Sequence, residues 1–184
     1  AHLMTERLFY GIPIPADVAG SIADVISGVP MIAERAGPSA NWHVTLRFLG
    51  STDAATKQAI TRLVRKASLP PAFEARITSW GAFPKPAAAK IFWIGLDDPD
   101  GQLSALAATL ESAARRVGFA PENRPFRPHV TVARFREPRN LRGTIERLPA
   151  LDASVLVDRF ILFRSHLGSG PPRYEPIAIH ELKR

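Results

Sequence analysis

The chain has 184 residues, of which 24 are lysine or arginine and 17 are aspartate or glutamate, so its formal net charge is +7. Hydrophobic residues make up 46%, which is enough to close a core and excludes a chain that stays disordered. Cysteine is absent, and this excludes disulfide scaffolds, cysteine-ligated metals and thiol nucleophiles. The length suits one globular domain or two small lobes.

The first half of the sequence alternates strand-like and helix-like patterns. In chain order, these patterns predict a strand over 8–14, a helix over 16–26, a strand over 42–48, a helix from 51 or 52 to about 67, and strands over 73–80 and 91–96. The first helix carries Val18, Ile22 and Ile26 at helical spacing. Ser51 or Thr52 is expected to cap the second helix.

The second half repeats the passage from helix to strand. The patterns predict a helix over 102–117, a strand over 128–135, a short helix over 141–147, and strands over 155–163 and 174–182. Leu103, Leu106 and Leu110 lie near one helical face, and Gly118 is suited to end that helix. Helices interleaved with strands that return on themselves predict an α+β fold with helices covering one face of each antiparallel sheet.

Two segments of the chain resemble each other, Trp42–Gly50 and Pro128–Phe135. Each contains His-Val-Thr followed by an apolar residue, and the two histidines, His43 and His129, lie 86 residues apart. A repeat separated by nearly half the chain indicates an internal duplication in which each copy supplies one histidine.

Strand geometry predicts where these side chains point. Residues two apart on a strand face the same side, so His43 should project with Thr45, and His129 with Thr131. The intervening valines are then expected to enter the core. A single His-x-Thr on a strand is most often structural, whereas two copies in the same frame favour a function.

Phosphodiester cleavage is a reaction that such a pair of strands could serve. It needs a base for the nucleophile, an acid for the departing alkoxide and donors for the phosphate oxygens. Histidine, with an ordinary pKa of about 6.5, fills either proton-transfer role, and a threonine hydroxyl can donate to the phosphate. Neither motif contains a carboxylate, which counts against a bound divalent metal, and no cofactor is predicted.

The two motifs, with the tails Leu46-Arg47-Phe48-Leu49-Gly50 and Val132-Ala133-Arg134, resemble the two-histidine (2H) phosphoesterase superfamily. Within it they are most similar to the RNA 2′,3′-cyclic phosphodiesterases of bacteria and archaea, also described as 2′-5′ RNA ligases. The resemblance implies a bilobal, pseudo-twofold α+β fold in which two antiparallel sheets, with helices on their outer faces, form a central cleft. Residues 4–184 would form a single domain of two lobes, each contributing one His-x-Thr motif.

The resemblance also implies an activity. The protein would hydrolyse RNA 2′,3′-cyclic phosphate ends to 2′-phosphates without a metal, with reversible 2′-5′ ligation as a further reaction of the same site. His43 would be the general acid that protonates the departing 3′ oxygen, His129 would be the base that activates water, and Thr45 and Thr131 would hold the phosphate. The residues themselves do not assign acid and base, because the two copies are chemically alike.

Arginines near the motifs are further candidates. By the resemblance, Arg134 would stabilise the pentavalent phosphorane, but its odd offset from His129 points it away from the cleft unless the strand bulges; otherwise it is structural. Arg47 lies at an even offset from His43, which favours a side chain that points into the cleft. The alternative is a charge on the cleft rim or in solvent. Arg127 would either serve RNA or cap a turn.

Partner and location follow from charge and composition. The positive balance favours an anionic partner such as phosphate or RNA, and the resemblance implies RNA with 2′,3′-cyclic phosphate ends. The alternatives are a cyclic phosphodiesterase for small nucleotides such as ADP-ribose cyclic phosphate, or a non-catalytic RNA-binding module. No apolar run approaches about 18 residues and the N-terminus lacks a signal pattern, so we expect a protein that is soluble and not exported. We further expect it to be a cytoplasmic monomer without membrane association. Ala1, His2 and Leu3 precede Met4 and are interpreted as a cloning remnant.

Other side chains are given minor roles. We expect His166 to precede a Gly-Ser turn at the end of a strand and His180 to lie on the surface of an edge strand. Tryptophans are more often core residues than base-stacking platforms. Phe83, within Gly-Ala-Phe-Pro, is the aromatic residue predicted as a candidate for nucleotide stacking.

Overall fold

The computed structural model describes residues 4–184, so the interpretation of Ala1, His2 and Leu3 concerns residues outside the described range. The strands of the described chain are β1 (Thr5–Pro13), β2 (His43–Asp53), β3 (Phe73–Phe83), β4 (Ala89–Leu96), β5 (His129–Arg139), β6 (Ser154–Val157), β7 (Arg159–His166) and β8 (Arg173–Glu181). The α-helices are α1 (Ala16–Ser27), α2 (Pro30–Ala33), α3 (Ala54–Lys66), α4 (Gln102–Arg116) and α5 (Arg142–Arg147). The predicted α+β class is confirmed.

The strands form one antiparallel sheet in the order β6-β3-β4-β5-β2-β1-β7-β8. Each half contains four strands: from the centre outwards, β5 is followed by β4, β3 and β6, and β2 is followed by β1, β7 and β8. Within the described residues, the two central strands pair at a single pair of residues, Val44 on β2 and Val130 on β5. The two predicted sheets are therefore present as the two halves of this one sheet.

The sheet curls strongly, as the chain between β6 and β7 shows. These strands lie near opposite ends of the strand order, yet only Asp158 separates Val157 from Arg159. The sheet must therefore bend round to bring β6 near β7. The strand predicted over 155–163 is split at Asp158, because β6 pairs with β3 and β7 pairs with β1.

Two of the helices, α3 and α4, lie behind β2, on the side of the sheet to which Val44 points. α3 begins after Asp53, whose carboxylate accepts a hydrogen bond from the amide of Thr56 at 2.8 Å. The predicted cap at Ser51 or Thr52 is wrong because β2 continues to Asp53 before the helix can start. α3 and α4 contact each other and β2, and their apolar faces are buried. No helix within residues 4–184 is long and apolar enough to cross a membrane.

Candidate active site

The two His-x-Thr segments lie side by side at the centre of the sheet. Val44 and Val130 are fully buried and paired, so their neighbours along each strand project from the opposite face. The antiparallel register of this pair, extended by one residue on either side, predicts that His43 is next to Thr131 and Thr45 next to His129. All four side chains are half-buried. We call the side of the sheet that carries them the histidine face.

Both imidazoles are held in the same way. Nδ1 of His43 donates to the carbonyl of Asn41 at 2.7 Å, and Nδ1 of His129 donates to the carbonyl of Arg127 at 2.7 Å. A carbonyl can only accept, so the proton of each neutral imidazole is on Nδ1. Each Nε2 is left with a lone pair, which is the state that a general base requires.

The surroundings of His43 are aromatic and tight. Its ring centroid lies 4.7 Å from that of Phe9 and 5.3 Å from that of Tyr174, whose ring meets it edge-on. Gly11 allows this approach, because a Cβ there would lie 3.3 Å from both His43 and Phe9. The Nε2 lone pair of neutral His43 accepts a hydrogen bond from the hydroxyl of Thr45 at 3.0 Å.

The surroundings of His129 are built from the other half of the sheet. Phe83 meets the imidazole edge-on with centroids 5.1 Å apart, and Trp93 lies 6.0 Å away. The indole fits only because residue 81 is glycine, since a Cβ on Gly81 would lie 2.4 Å from the ring of Trp93. Each histidine therefore has its own aromatic wall.

Burial lowers the pKa of both histidines below the ordinary value of 6.5. The hydrogen bond to the carbonyl of Asn41 opposes this for His43, and the bond to Arg127 opposes it for His129. The positive charge of Arg134 lowers both pKa values further. Both imidazoles are therefore mostly neutral in the free protein at pH 7.

Arg134 reaches the histidine face because β5 contains a bulge. Thr131 is paired with Trp93, and Ala133 with the preceding residue of β4, so Val132 has no partner of its own. Val132 and Ala133 are both buried, and the alternation resumes with Arg134 exposed. Of the two alternatives for this arginine, the bulge is the one present, and the arginine's charge acts on both imidazoles and on Tyr174.

Arg47 points away from the histidine face, because β2 bulges at the equivalent position. Thr45 pairs with Gly11 and Arg47 with Tyr10, which leaves Leu46 as the extra residue. Arg47 is consequently turned inward, with 8% of its surface exposed, and its Nε donates to the carboxylate of Glu111 at 2.6 Å. Both interpretations made from the sequence, a cleft residue and a rim or solvent charge, are wrong for this arginine.

The comparisons with known proteins agree with this geometry. The family model of the 2′-5′ RNA ligase superfamily matches residues 35–169, a span that contains both His-x-Thr motifs. The chain belongs to this superfamily. The predicted resemblance is thereby confirmed.

Named relatives in the superfamily match most of the chain. It is 30% identical over 177 residues to an RNA 2′,3′-cyclic phosphodiesterase of Escherichia coli, covering 94% of both proteins. It is 32% identical over 162 residues to one of Aeropyrum pernix, covering 85% of this chain and 88% of the relative. The crystal structure of E. coli LigT complexed with 3′-AMP matches 98% of this chain and 99% of its own, with a TM-score of 0.83 at 28% identity.

In this member of the 2′-5′ RNA ligase superfamily, Glu111 joins the two halves of the sheet. Its carboxylate accepts hydrogen bonds from Arg47 on β2, from Arg115 at 2.8 Å and from the amide of Glu122 at 3.0 Å. Although burial opposes ionisation, these bonds and the charge of Arg47 lower the pKa of Glu111 to about 2. The buried arginine of the first motif thus fixes the segment that leads to His129.

Glu111→Gln should lower the free energy of unfolding at pH 7 by about 1–3 kcal/mol, because it leaves Arg47 buried without a carboxylate. The folded-state pKa of about 2 lies below the ordinary value of 4.5, so this stabilisation is complete above pH 4.5 and is lost as the pH falls toward 2. Urea unfolding at pH 7 and pH 3 measures the change, and the gap between wild type and variant should narrow at pH 3. Exposed Glu34, replaced by Gln, is the control; an equal effect there contradicts the assignment.

The remaining sequence candidates lie in several places. Phe83 borders His129, and the guanidinium of Arg127 lies over its ring at 5.8 Å, so this aromatic residue belongs to the histidine face. His166 ends β7 as predicted, and its Nε2 is 2.7 Å from a carboxylate oxygen of Glu175. Trp93 borders His129, whereas the two other tryptophans are buried.

The prediction that His180 lies on the surface is wrong. β8 is an edge strand, but the imidazole is 5% exposed and stacks on Phe160 with centroids 5.0 Å apart. Pro176 pairs with Phe163 and Ala178 with the residue before it, so β8 has an extra residue that reverses the alternation. The predicted pattern missed this bulge.

Sequence reasoning missed Phe9 and Tyr174, which form the wall around His43. They belong to β1 and β8, and only the strand order brings them near β2. No local motif marks either residue. The described residues contain no group of three or more side chains suited to hold a metal ion.

Proposed function

We propose that this protein hydrolyses RNA 2′,3′-cyclic phosphate ends to 2′-phosphates with two histidines and no metal, and that the same site supports reversible 2′-5′ ligation. The observation that carries the proposal is the paired imidazoles on the histidine face, each with Nδ1 fixed on a carbonyl and with a lone pair on Nε2, which in His43 accepts from Thr45. The cyclic phosphodiesterase activity is supported by relatives of that name across most of the chain.

His129 is the proposed base. Because its Nδ1 hydrogen is committed to the carbonyl of Arg127, the Nε2 lone pair can accept a proton from water. Burial and the charges of Arg127 and Arg134 lower its pKa, so it enters the reaction neutral. As it loses this proton, the water oxygen attacks the phosphorus of the cyclic phosphate from the side of β5.

His43 is the proposed acid, following the family resemblance. It must first take a proton on Nε2, and the single negative charge of a bound cyclic phosphate favours that charged form. Once Nε2 carries this proton, the hydroxyl of Thr45 no longer needs to donate to it and can donate to a phosphate oxygen instead. The Nε2 proton then passes to the 3′ oxygen as the P–O3′ bond breaks.

Thr131 and Arg134 are proposed to stabilise the phosphorane. Thr131 is next to His43 in the register extended from the central pair, and Arg134 follows the bulge on the same face. A guanidinium can donate two hydrogen bonds to neighbouring phosphate oxygens as negative charge develops on them. Ligation would use the same groups in the same roles, with a ribose 5′ hydroxyl in place of water, and only its reversal would exchange acid and base.

The proposed unit is one domain over 4–184 with two lobes, working as a cytoplasmic monomer. A single chain carries both His-x-Thr motifs, so no second copy is required to complete the site. The absence of cysteine is compatible with a reducing compartment.

The direct test is hydrolysis of an oligoribonucleotide that ends in a 2′,3′-cyclic phosphate, carried out in excess EDTA. The expected product is the 2′-phosphate alone, identified by chromatography against 2′- and 3′-phosphate standards. A 3′-phosphate product would contradict protonation of the 3′ oxygen. Recovery of activity only on adding a divalent cation would contradict the metal-independent reaction.

A further inference from the structure

The histidine face is asymmetric at one pair of equivalent positions. Phe48 follows His43 by five residues, as Arg134 follows His129, and in both strands a bulge intervenes. Both side chains are exposed, which sets them apart from the buried residues before them. One half of the sheet thus offers a cation at this position, and the other half offers an aromatic ring.

Phe48 lies on the same side of the sheet as the catalytic groups proposed above. It is paired in register with Phe9, whose ring contacts the imidazole of His43. From Thr45, three residues of strand cover about 10 Å. That span lies beyond the reacting phosphate but within reach of the nucleotide chain attached to it.

The surroundings of Phe48 suit a nucleic-acid base. The side chain is 47% exposed, and the guanidinium of Arg7 lies over the ring at 5.6 Å from its centroid. Arg7 is itself exposed and forms no ion pair within residues 4–184. An aromatic ring beside a free cation can stack a base and attract a backbone phosphate.

The proposed mechanism places the RNA on this half of the sheet. Water attacks from the His129 side, and in-line displacement requires the leaving 3′ oxygen to lie opposite, at His43. That oxygen belongs to the terminal ribose, so the ribose and the nucleotides on its 5′ side extend over β1 and β2. Arg134, on the other half of the sheet, contacts the phosphate instead of the nucleotide chain.

We propose that Phe48 and Arg7 form a stacking platform for an RNA base on the 5′ side of the reacting phosphate, so that the enzyme favours oligonucleotides over mononucleotides. This inference rests on the proposed function, because it takes its orientation from the acid role of His43. It adds a specificity determinant and selects RNA ends over small cyclic nucleotides.

The test compares kcat/KM for a cyclic-phosphate-terminated pentanucleotide with that for a mononucleoside 2′,3′-cyclic phosphate. In Phe48→Ala the ratio of the two values should fall about tenfold, since stacking is lost only for the longer substrate. Phe48→Leu should show most of this loss, whereas Phe48→Trp should restore the ratio. Leu156→Ala is the matched control, because Leu156 is equally exposed at 47% but lies on β6, at the far edge of the sheet.

Salt dependence gives a second measurement. Arg7→Gln should reduce the slope of log(kcat/KM) against log[salt] for the pentanucleotide by about 0.7, the value for one phosphate contact on a single strand. If wild type hydrolyses both substrates and neither the ratio in Phe48→Ala nor this slope changes, the platform is wrong while the proposed function stands. If wild type hydrolyses neither substrate, the proposed function fails and the platform fails with it.

Discussion

His43→Ala and His129→Ala should each lower kcat for cyclic-phosphate hydrolysis by about 10²–10⁴-fold, the usual contribution of general acid–base catalysis. In His43→Ala no group remains to protonate the 3′ oxygen, and in His129→Ala no lone pair remains to accept the proton of water. Single-turnover assays with a cyclic-phosphate-terminated oligonucleotide measure the chemical step. The double variant should be little slower than either single variant, because the two groups act in one step.

Folding must be separated from chemistry in this experiment. His43 packs against Phe9 over Gly11, so its removal leaves a cavity, and His43→Gln keeps more of the volume. Circular dichroism and thermal unfolding show whether each variant retains the fold. His166→Ala is the matched control, and its rate should stay within about twofold of wild type. A loss of less than tenfold in a folded His43 or His129 variant contradicts the acid–base assignment.

The sequence was sufficient to predict both motifs, most elements and the fold class, because these depend on local patterns and on a repeat. Alternation of apolar and polar residues fixed the orientation of His43, Thr45, His129 and Thr131 relative to the core. The symmetric strand order brings the two copies together at the centre. The predicted orientation was reliable as far as the first bulge of each strand.

Beyond the bulges, prediction depended on whether the sequence signals the extra residue. In β5 it does, because Val132 and Ala133 are adjacent apolar residues, after which the alternation resumes with Arg134 outward. In β2 the extra residue is hidden, because a charged side chain, Arg47, takes the inward position. Its burial is made possible by Glu111, 64 residues further along the chain, and no local pattern contains that contact.

Arg134→Gln should lower kcat/KM by about 10²-fold, because the variant loses charge-assisted bonds to the phosphorane. Glutamine retains a hydrogen-bond donor and much of the side-chain length. We therefore expect kcat/KM to fall while the stability of the fold changes little. Arg136→Gln is the matched control, since Arg136 is also exposed on β5, two residues beyond Arg134. Equal losses in the two variants would indicate general attraction of RNA instead of a contact with the reacting phosphate.

The pH dependence of kcat/KM provides a second test of Arg134, because a purely structural role would not change it. Hydrolysis needs His129 neutral and His43 protonated, so kcat/KM rises with pH through one pKa of the pair and falls through the other. Both pKa values are held below 6.5, so wild-type kcat/KM should be greatest below pH 6.5 and fall tenfold per unit above it. Removing the charge of Arg134 raises both pKa values, and the falling limb of Arg134→Gln should therefore move to higher pH. A variant profile that coincides with that of wild type, scaled only in height, would place Arg134 too far from the imidazoles to act on them.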